Sequence, residues 1–129
     1  MASGMRAITR SMILVLTAGL SGCLLAAGAG AGGAVFFSGH TAEAIVERSV
    51  ADMANVAERV LSEEQVAIST TSSEDSGATR TYEGKKGDLD VTVIIERATS
   101  GAKIRVSARR GTTSWDDDYA KELLAKIIG

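Results

Sequence analysis

The alternation across residues 88–109 limits the possible folds of this chain more than any other feature. Leu89, Val91, Val93 and Ile95 fall on one face of an extended segment, and Asp90, Thr92, Ile94 and Glu96 on the other. Ile104, Val106 and Ala108 repeat the pattern, with Lys103, Arg105, Ser107 and Arg109 between them. A period of two places alternate side chains on opposite faces of a strand, so both segments are predicted as strands with one dry and one wet face. The short turn Ala98–Ala102 between them makes the pair antiparallel.

The flanking segments extend this pattern. Val66, Ile68 and Thr70 alternate with Ala67, Ser69 and Thr71, Ser72–Gly77 reads as a turn, and Ala78–Glu83 reads as a weaker strand whose best core residue is Tyr82. Gly84–Gly87 is the next predicted turn. Before these strands the period changes. Ile45, Val46, Val50, Met53, Val56, Ala57, Val60 and Leu61 recur at spacings of three and four, which predicts an amphipathic helix over Thr41–Ser62 with Thr41 as N-cap. A second helix is predicted from Ser114, with Trp115, Tyr119, Leu123, Leu124, Ile127 and Ile128 as its apolar stripe. Val35-Phe36-Phe37 is either a short first strand or a contact with a lipid interface. Two amphipathic helices and one half-wet sheet are most economically buried with both helices on the dry face. The expected fold is therefore α+β, a two-layer sandwich with an antiparallel four- to five-stranded sheet and two helices on one face.

The amino-terminal third reads differently. Met1–Arg10 is short and basic, and Ser11–Leu20 is an apolar run of signal-peptide length. Leu20-Ser21-Gly22-Cys23 follows and holds the only cysteine of the chain. A lone cysteine forms no internal disulfide, and a free thiol in an exported protein calls for an explanation. The four residues look like a bacterial lipobox. That likeness implies a diacylglycerol thioether, with acyl chains such as palmitate, on Cys23, and cleavage between Gly22 and Cys23. An uncleaved reading stays open, because Met12–Phe37 contains no charged side chain and is long enough to cross a bilayer once. In both readings Arg6 and Arg10 keep the amino terminus in the cytoplasm and the domain outside it. Residues 23–34 are a Gly/Ala tether, in which glycine at 28, 30, 32 and 33 disfavours a regular helix. Gly28 and Gly32 also have the small-residue spacing that packs membrane helices. The expected organisation is a signal peptide over 1–22, a lipidated tether over 23–34 and a folded domain over 35–129.

Few residues in that domain invite chemistry. The net charge is −2, and no basic footprint points to nucleic acid. Asp116-Asp117-Asp118 lacks the spaced oxygen ligands and glycine of a calcium loop, and an acidic helix start explains it. Arg109 and Arg110 are expected to pair with these acids, the other reading being anion capture. His40, the single histidine, stands in a Ser-Gly-His-Thr breaker and is expected to be solvated. The outward row Lys103, Arg105 and Arg109 is expected to be a solvated face balanced by Asp90 and Glu96, the other reading being contact with an acidic polymer or headgroup. No catalytic residue, metal site, cofactor or small-molecule substrate is expected.

A family resemblance adds to this reading. Gly22-Cys23 with the Gly/Ala run, Gly39, Val60-Leu61, Val91-Thr92-Val93, Lys103-Ile104-Arg105-Val106, and Arg109-Arg110-Gly111 ahead of a helix ending in Leu124 and Ile127 together resemble an uncharacterised group of small bacterial envelope lipoproteins. The resemblance runs from Cys23 to Ile128. It implies an envelope lipoprotein of no established activity, attached to a membrane through its amino-terminal lipid. Leu24 follows the cysteine instead of the aspartate that commonly retains lipoproteins at the inner membrane, which by the same resemblance implies the outer membrane, facing the periplasm. A looser, fold-level similarity is to the helix-grip domains of accessory lipoproteins in outer-membrane β-barrel assembly. The expected function is a non-enzymatic interaction or structural domain on a lipid anchor. The alternatives are an accessory subunit of an outer-membrane assembly or transport complex with a protein partner in the envelope, and a single-pass anchored domain.

Overall fold

A computed structural model describes residues 35–129. The elements are β1 (Val35–Ser38), β2 (Thr41–Val46), α1 (Val50–Glu63), β3 (Ala67–Glu74), β4 (Thr79–Lys86), β5 (Leu89–Ala98), β6 (Gly101–Arg110), β7 (Ser114–Trp115) and α2 (Asp117–Ile128). The sheet order is β1-β2-β6-β5-β4-β3, with β7 beside β6. Every pairing is antiparallel. The β1-β2 hairpin forms one edge. α1 then carries the chain across to the opposite edge, and β3 to β6 return as a meander until β6 docks on β2.

The α+β class is as expected, and the strand count is higher: seven strands instead of four or five. One added strand comes from the predicted first helix. Thr41–Val46 is extended, with Ala42, Ala44 and Val46 buried and Thr41, Glu43 and Ile45 on the other face. The alternating apolar residues here are mostly alanine, which is also a strong helix former, so the helical spacing of Ile45 and Val46 masked a period of two. The true N-cap is Ser49, whose extended backbone (φ −70°, ψ 157°) lets its hydroxyl accept from the Asp52 amide at 3.1 Å. The other added strand is β7, which takes Ser114 and Trp115 out of the predicted second helix. Asp116 caps α2 instead, accepting from the Tyr119 amide at 3.0 Å.

The predicted turn Gly84–Gly87 shrinks to Gly87-Asp88, because Gly84 to Lys86 stay in β4. Gly84 is packed so closely against β3 that a Cβ there would stand 2.6 Å from the Ala67 carbonyl oxygen. β3 itself begins later and runs longer than expected. Val66 is buried but precedes it. Its amide reaches back to the Leu61 carbonyl at 2.9 Å while Gln65 adopts φ 62°, so Val66 closes a Schellman turn at the end of α1.

One face of the sheet is dry. Val91, Val93 and Ile95 lie opposite Ala108, Val106 and Ile104, and Ala42, Ala44 and Val46 continue the layer across β2. Met53, Ala57, Val60 and Leu61 of α1 and Ala120, Leu123, Leu124 and Ile127 of α2 belong to the same buried cluster. α1 packs on β3, β4, β5 and β6, α2 on β2 and β6, and the two helices touch each other. The alanines of β2 are therefore small residues beneath α2, where a bulkier layer would hold the helix off.

These positions differ sharply in cost. Ile104→Ala in the dry layer is expected to destabilise the domain by about 2–5 kcal/mol. Ile68→Ala on β3, whose residues are all exposed, should stay within about 0.5 kcal/mol. Urea midpoints of the two variants check this, and equal losses would contradict the assignment of β3 to the exterior.

Candidate functional site

Gly22 and Cys23, the sites expected for cleavage and lipidation, lie outside the described residues, as do the leader and the tether. Within the domain, side-chain chemistry gathers in three places: the wet sheet face, the tip of the first hairpin, and the end of α1.

On the wet face, Glu43 stands opposite Arg105, Glu96 opposite Lys103, Thr92 opposite Ser107 and Asp90 opposite Arg109. Arg105 bonds to Glu96, and Lys103 reaches Glu43 at 3.6 Å. Asp90 turns to Lys85 at 2.9 Å. Two members of the basic row are thus matched by acids on neighbouring strands, one of them Glu43, which the helix reading had placed elsewhere. Arg109 differs: its guanidinium lies 5.4 Å from the centre of the Trp115 ring. A shallow depression of about 380 Å³ runs beside it, lined among others by Ser69, Asp90, Thr92 and Ser107.

The hairpin tip holds a cluster that sequence reasoning missed. Gly39, at φ +61°, turns the chain between β1 and β2 and presents His40. The His40 ring stacks on Trp115 with centroids 4.8 Å apart and planes 3° from parallel. Its Nδ1 lies 3.1 Å from Asp117 Oδ1 and 3.3 Å from Oδ2. His40 is therefore not merely solvated. It pins the hairpin to β7 and to the first turn of α2, through residues 77 positions apart. Such a stack contributes about 0.5–1.5 kcal/mol beyond its buried area. A histidine-carboxylate pair also orients the base in nucleophilic catalysis, where a hydroxyl or thiol meets the other ring nitrogen; among the described residues the His40 ring meets Asp117 and Trp115. The acidic run is divided among separate tasks. Asp116 caps α2 and lies 3.6 Å from Arg110, Asp117 meets His40, and Arg110 also bonds to Asp88 at 3.0 Å. The expected pairing thus involves Arg110 rather than Arg109. Among the described residues no group of three or more His, Cys, Asp or Glu side chains is arranged to hold a metal.

At the end of α1, Glu64 joins three elements. Its Oε2 accepts from Lys126 of α2 at 2.7 Å, and its Oε1 accepts from Lys86 of β4 and from the Tyr119 hydroxyl, each at 3.4 Å. The Lys86 ammonium also lies 5.0 Å from the centre of the Tyr119 ring. The Lys126 hydrogen bond draws the Glu64 carboxyl below its ordinary value against the opposing effect of burial. Burial first, and then the Glu64 charge, push the Tyr119 hydroxyl up to about 12. Nearly two turns earlier along α1, Glu58 accepts from the buried Tyr82 hydroxyl at 2.7 Å. The signal in the sequence was faint, since nothing marks Glu64 as different from Glu63 until Gln65 and Val66 close the helix end.

A family model described as a protein of unknown function (DUF3568) matches residues 5–128. No curated protein matches the chain.

The Glu64 contacts carry a pH dependence. A carboxylate whose pKa falls on folding stabilises the folded state above its ordinary value of 4.5 and loses that contribution as pH drops through the lower folded value. Wild type should therefore be more stable than Glu64→Gln near neutrality, and the gap should narrow as pH falls below 4.5. Urea midpoints across that range test this, and a gap that is independent of pH would contradict it.

Proposed function

Because the chain belongs to the DUF3568 family, whose function is unknown, we propose from its own residues that it is a lipid-anchored bacterial envelope lipoprotein with a non-enzymatic interaction or structural domain. The observation that carries this reading is the order of the first 23 positions: Arg6 and Arg10, the apolar run Ser11–Leu20, then Leu20-Ser21-Gly22-Cys23. The family match starts at residue 5 and so takes in this stretch together with the domain. Each buried methylene contributes about 0.8 kcal/mol, and one acyl chain gives only marginal attachment, so the two or three chains of a mature lipoprotein make a durable anchor. Leu24 in place of aspartate favours the outer membrane with the domain in the periplasm.

Behind the anchor, we read the domain as two layers with both helices over the dry face. That arrangement leaves the wet face and the β3 edge for a protein partner. β3 is the last strand of the sheet path, and all its residues are exposed. An unpaired strand edge of this kind can take up an extended segment of another chain through main-chain hydrogen bonds. This observation favours a role as accessory subunit of an envelope assembly or transport complex.

Mass spectrometry of the native amino terminus tests the anchor. The mature protein should begin at Cys23 carrying acyl chains, and Cys23→Ala or inhibition of the lipoprotein signal peptidase should leave the precursor uncleaved. A native chain that retains residues 1–22 would support the single-pass form instead. A Cys23→Ala variant that matures and partitions like wild type would overturn lipidation. Crosslinking from membranes tests the partner: a stoichiometric protein captured through β3 supports the accessory role, and capture of random neighbours alone counts against it.

A further inference from the structure

At one end of the domain the alternation of the dry face runs out into arginine. On β4, Arg80 shares a face with the buried Tyr82, and on β5, Arg97 shares a face with the buried Ile95. Register confirms the face, since Arg80 lies opposite Ile95 and Arg97 opposite Ala102, both core residues. These two arginines, with Arg48 from the β2-α1 connection, line a groove of about 790 Å³. The start of α1, Ser49 to Ala51, forms another wall.

The three cations are short of counter-charge. His40, Lys85, Lys86, Lys103, Arg105, Arg110 and Lys126 each meet a carboxylate. Among the described residues Arg48, Arg59, Arg80, Arg97, Arg109 and Lys121 have no such partner within the same distance, and Arg48, Arg80 and Arg97 of these line this one groove. Glu47 is the one acid lining the groove. The Nε of Arg80, like that of Arg105, is buried with no hydrogen-bond partner, but the Arg105 guanidinium already meets Glu96 whereas that of Arg80 meets no carboxylate. A buried guanidinium nitrogen without an acceptor costs about 1–3 kcal/mol, more when charged, and a bound ligand is one source of the missing acceptor. The helix start adds to the field. Ser49 occupies the Asp52 amide, so Val50 and Ala51 supply the remaining first-turn donors at the positive end of the α1 dipole.

We propose that this groove binds a phosphate group, held by the forked guanidiniums of Arg80 and Arg97 with Arg48 at the rim and the first amides of α1. Planar guanidiniums match the oxygen spacing of phosphate, and a helix start favours its charge. The position of the groove points to the source. Val35 pairs with Ala44, close to Val46 at the end of β2, and Val46 pairs with Ala102 beside the Ala98–Gly101 wall of the groove. The chain thus joins the domain at the same end of the sheet as the arginines. On the anchor reading the twelve residues 23–34, if they formed a Gly-rich coil, would span only about 17–21 Å, so an anchored domain would hold this end near the lipid headgroups. The headgroup source rests on the anchor reading; phosphate binding does not.

The full chain carrying Cys23→Ala, in uncharged detergent micelles at constant ionic strength, separates these points. Inorganic phosphate is titrated in one arm, and phosphatidylglycerol is doped into the micelles in the other, with amide chemical shifts followed by NMR. Shifts at Val50, Ala51 and Ser100 are expected, with affinity falling about tenfold or more for each of Arg80→Gln and Arg97→Gln. Arg59→Gln, a change on α1 outside the groove, should bind as wild type. A response to phosphatidylglycerol alone assigns a headgroup, and a response to both arms assigns a phosphate group irrespective of carrier. Shifts spread over the surface, an equal loss in Arg59→Gln, or no response in either arm would overturn the proposal. Should the glutamine variants fail to fold, the location of the wild-type shifts decides alone. Because the tested chain has no thiol at position 23, failure of lipidation in cells leaves this result intact.

Discussion

The pairing of β2 with β6 is the contact on which the rest of the domain depends. It joins the first hairpin to the last strand of the meander in a register that sets Ala42 against Val106, Ala44 against Ile104 and Val46 against Ala102. A slip of one residue would turn that row out of the dry layer and expose Glu43 and Ile45 to it. Gly101 fixes the end of this register. Its φ is +107°, and a Cβ there would stand 1.9 Å from the Val46 carbonyl oxygen. The strands therefore close to a distance that only glycine permits. With the seam in place, α2 can lie over β2 and β6, and its Asp117 can reach His40.

The strands that could be read in advance were those whose apolar residues are large. Leu89, Val91, Val93 and Ile95, and then Ile104, Val106 and Ala108, show their period of two without help, and Met53, Val56, Ala57, Val60 and Leu61 show theirs of three and four. β2 was hidden because Ala42 and Ala44 fit either period; their size reflects the helix above, a tertiary fact. Trp115 misled for a related reason. Its place in a helical stripe was sound by spacing, yet Asp116 offers a better cap, and the freed residue joins β6 and stacks on His40. The exposure of Ile68 had no local sign either. Alternation says that two faces differ, not that anything covers one of them, and although α1 touches β3, every residue of that strand stays exposed.

Charge is sorted by position in the same way. On the wet face and around Glu64, acids and bases from different elements are matched, and such pairs contribute little stability where solvent screens them. They do define a polar surface with little net field. At the α1 end of the sheet the matching stops, and Arg48, Arg80 and Arg97 stand around one groove. Sequence alone could not find this set, because its members belong to two strands and the β2-α1 connection and only the return of the meander brings them together.

The meander topology also has a consequence for how the protein is made. β1 and β2 emerge early, but the strand that covers the inner edge of β2 is β6, near the other end of the domain. During synthesis from the amino terminus, the Ala42-Ala44-Val46 strand must wait, unpaired on that side, for almost the entire domain to follow. Long-range pairings of this kind form slowly and leave bare strand edges prone to aggregation. The newborn chain thus has a window of vulnerability in which a holding chaperone, or tethering that keeps copies apart, would do the most to secure its yield.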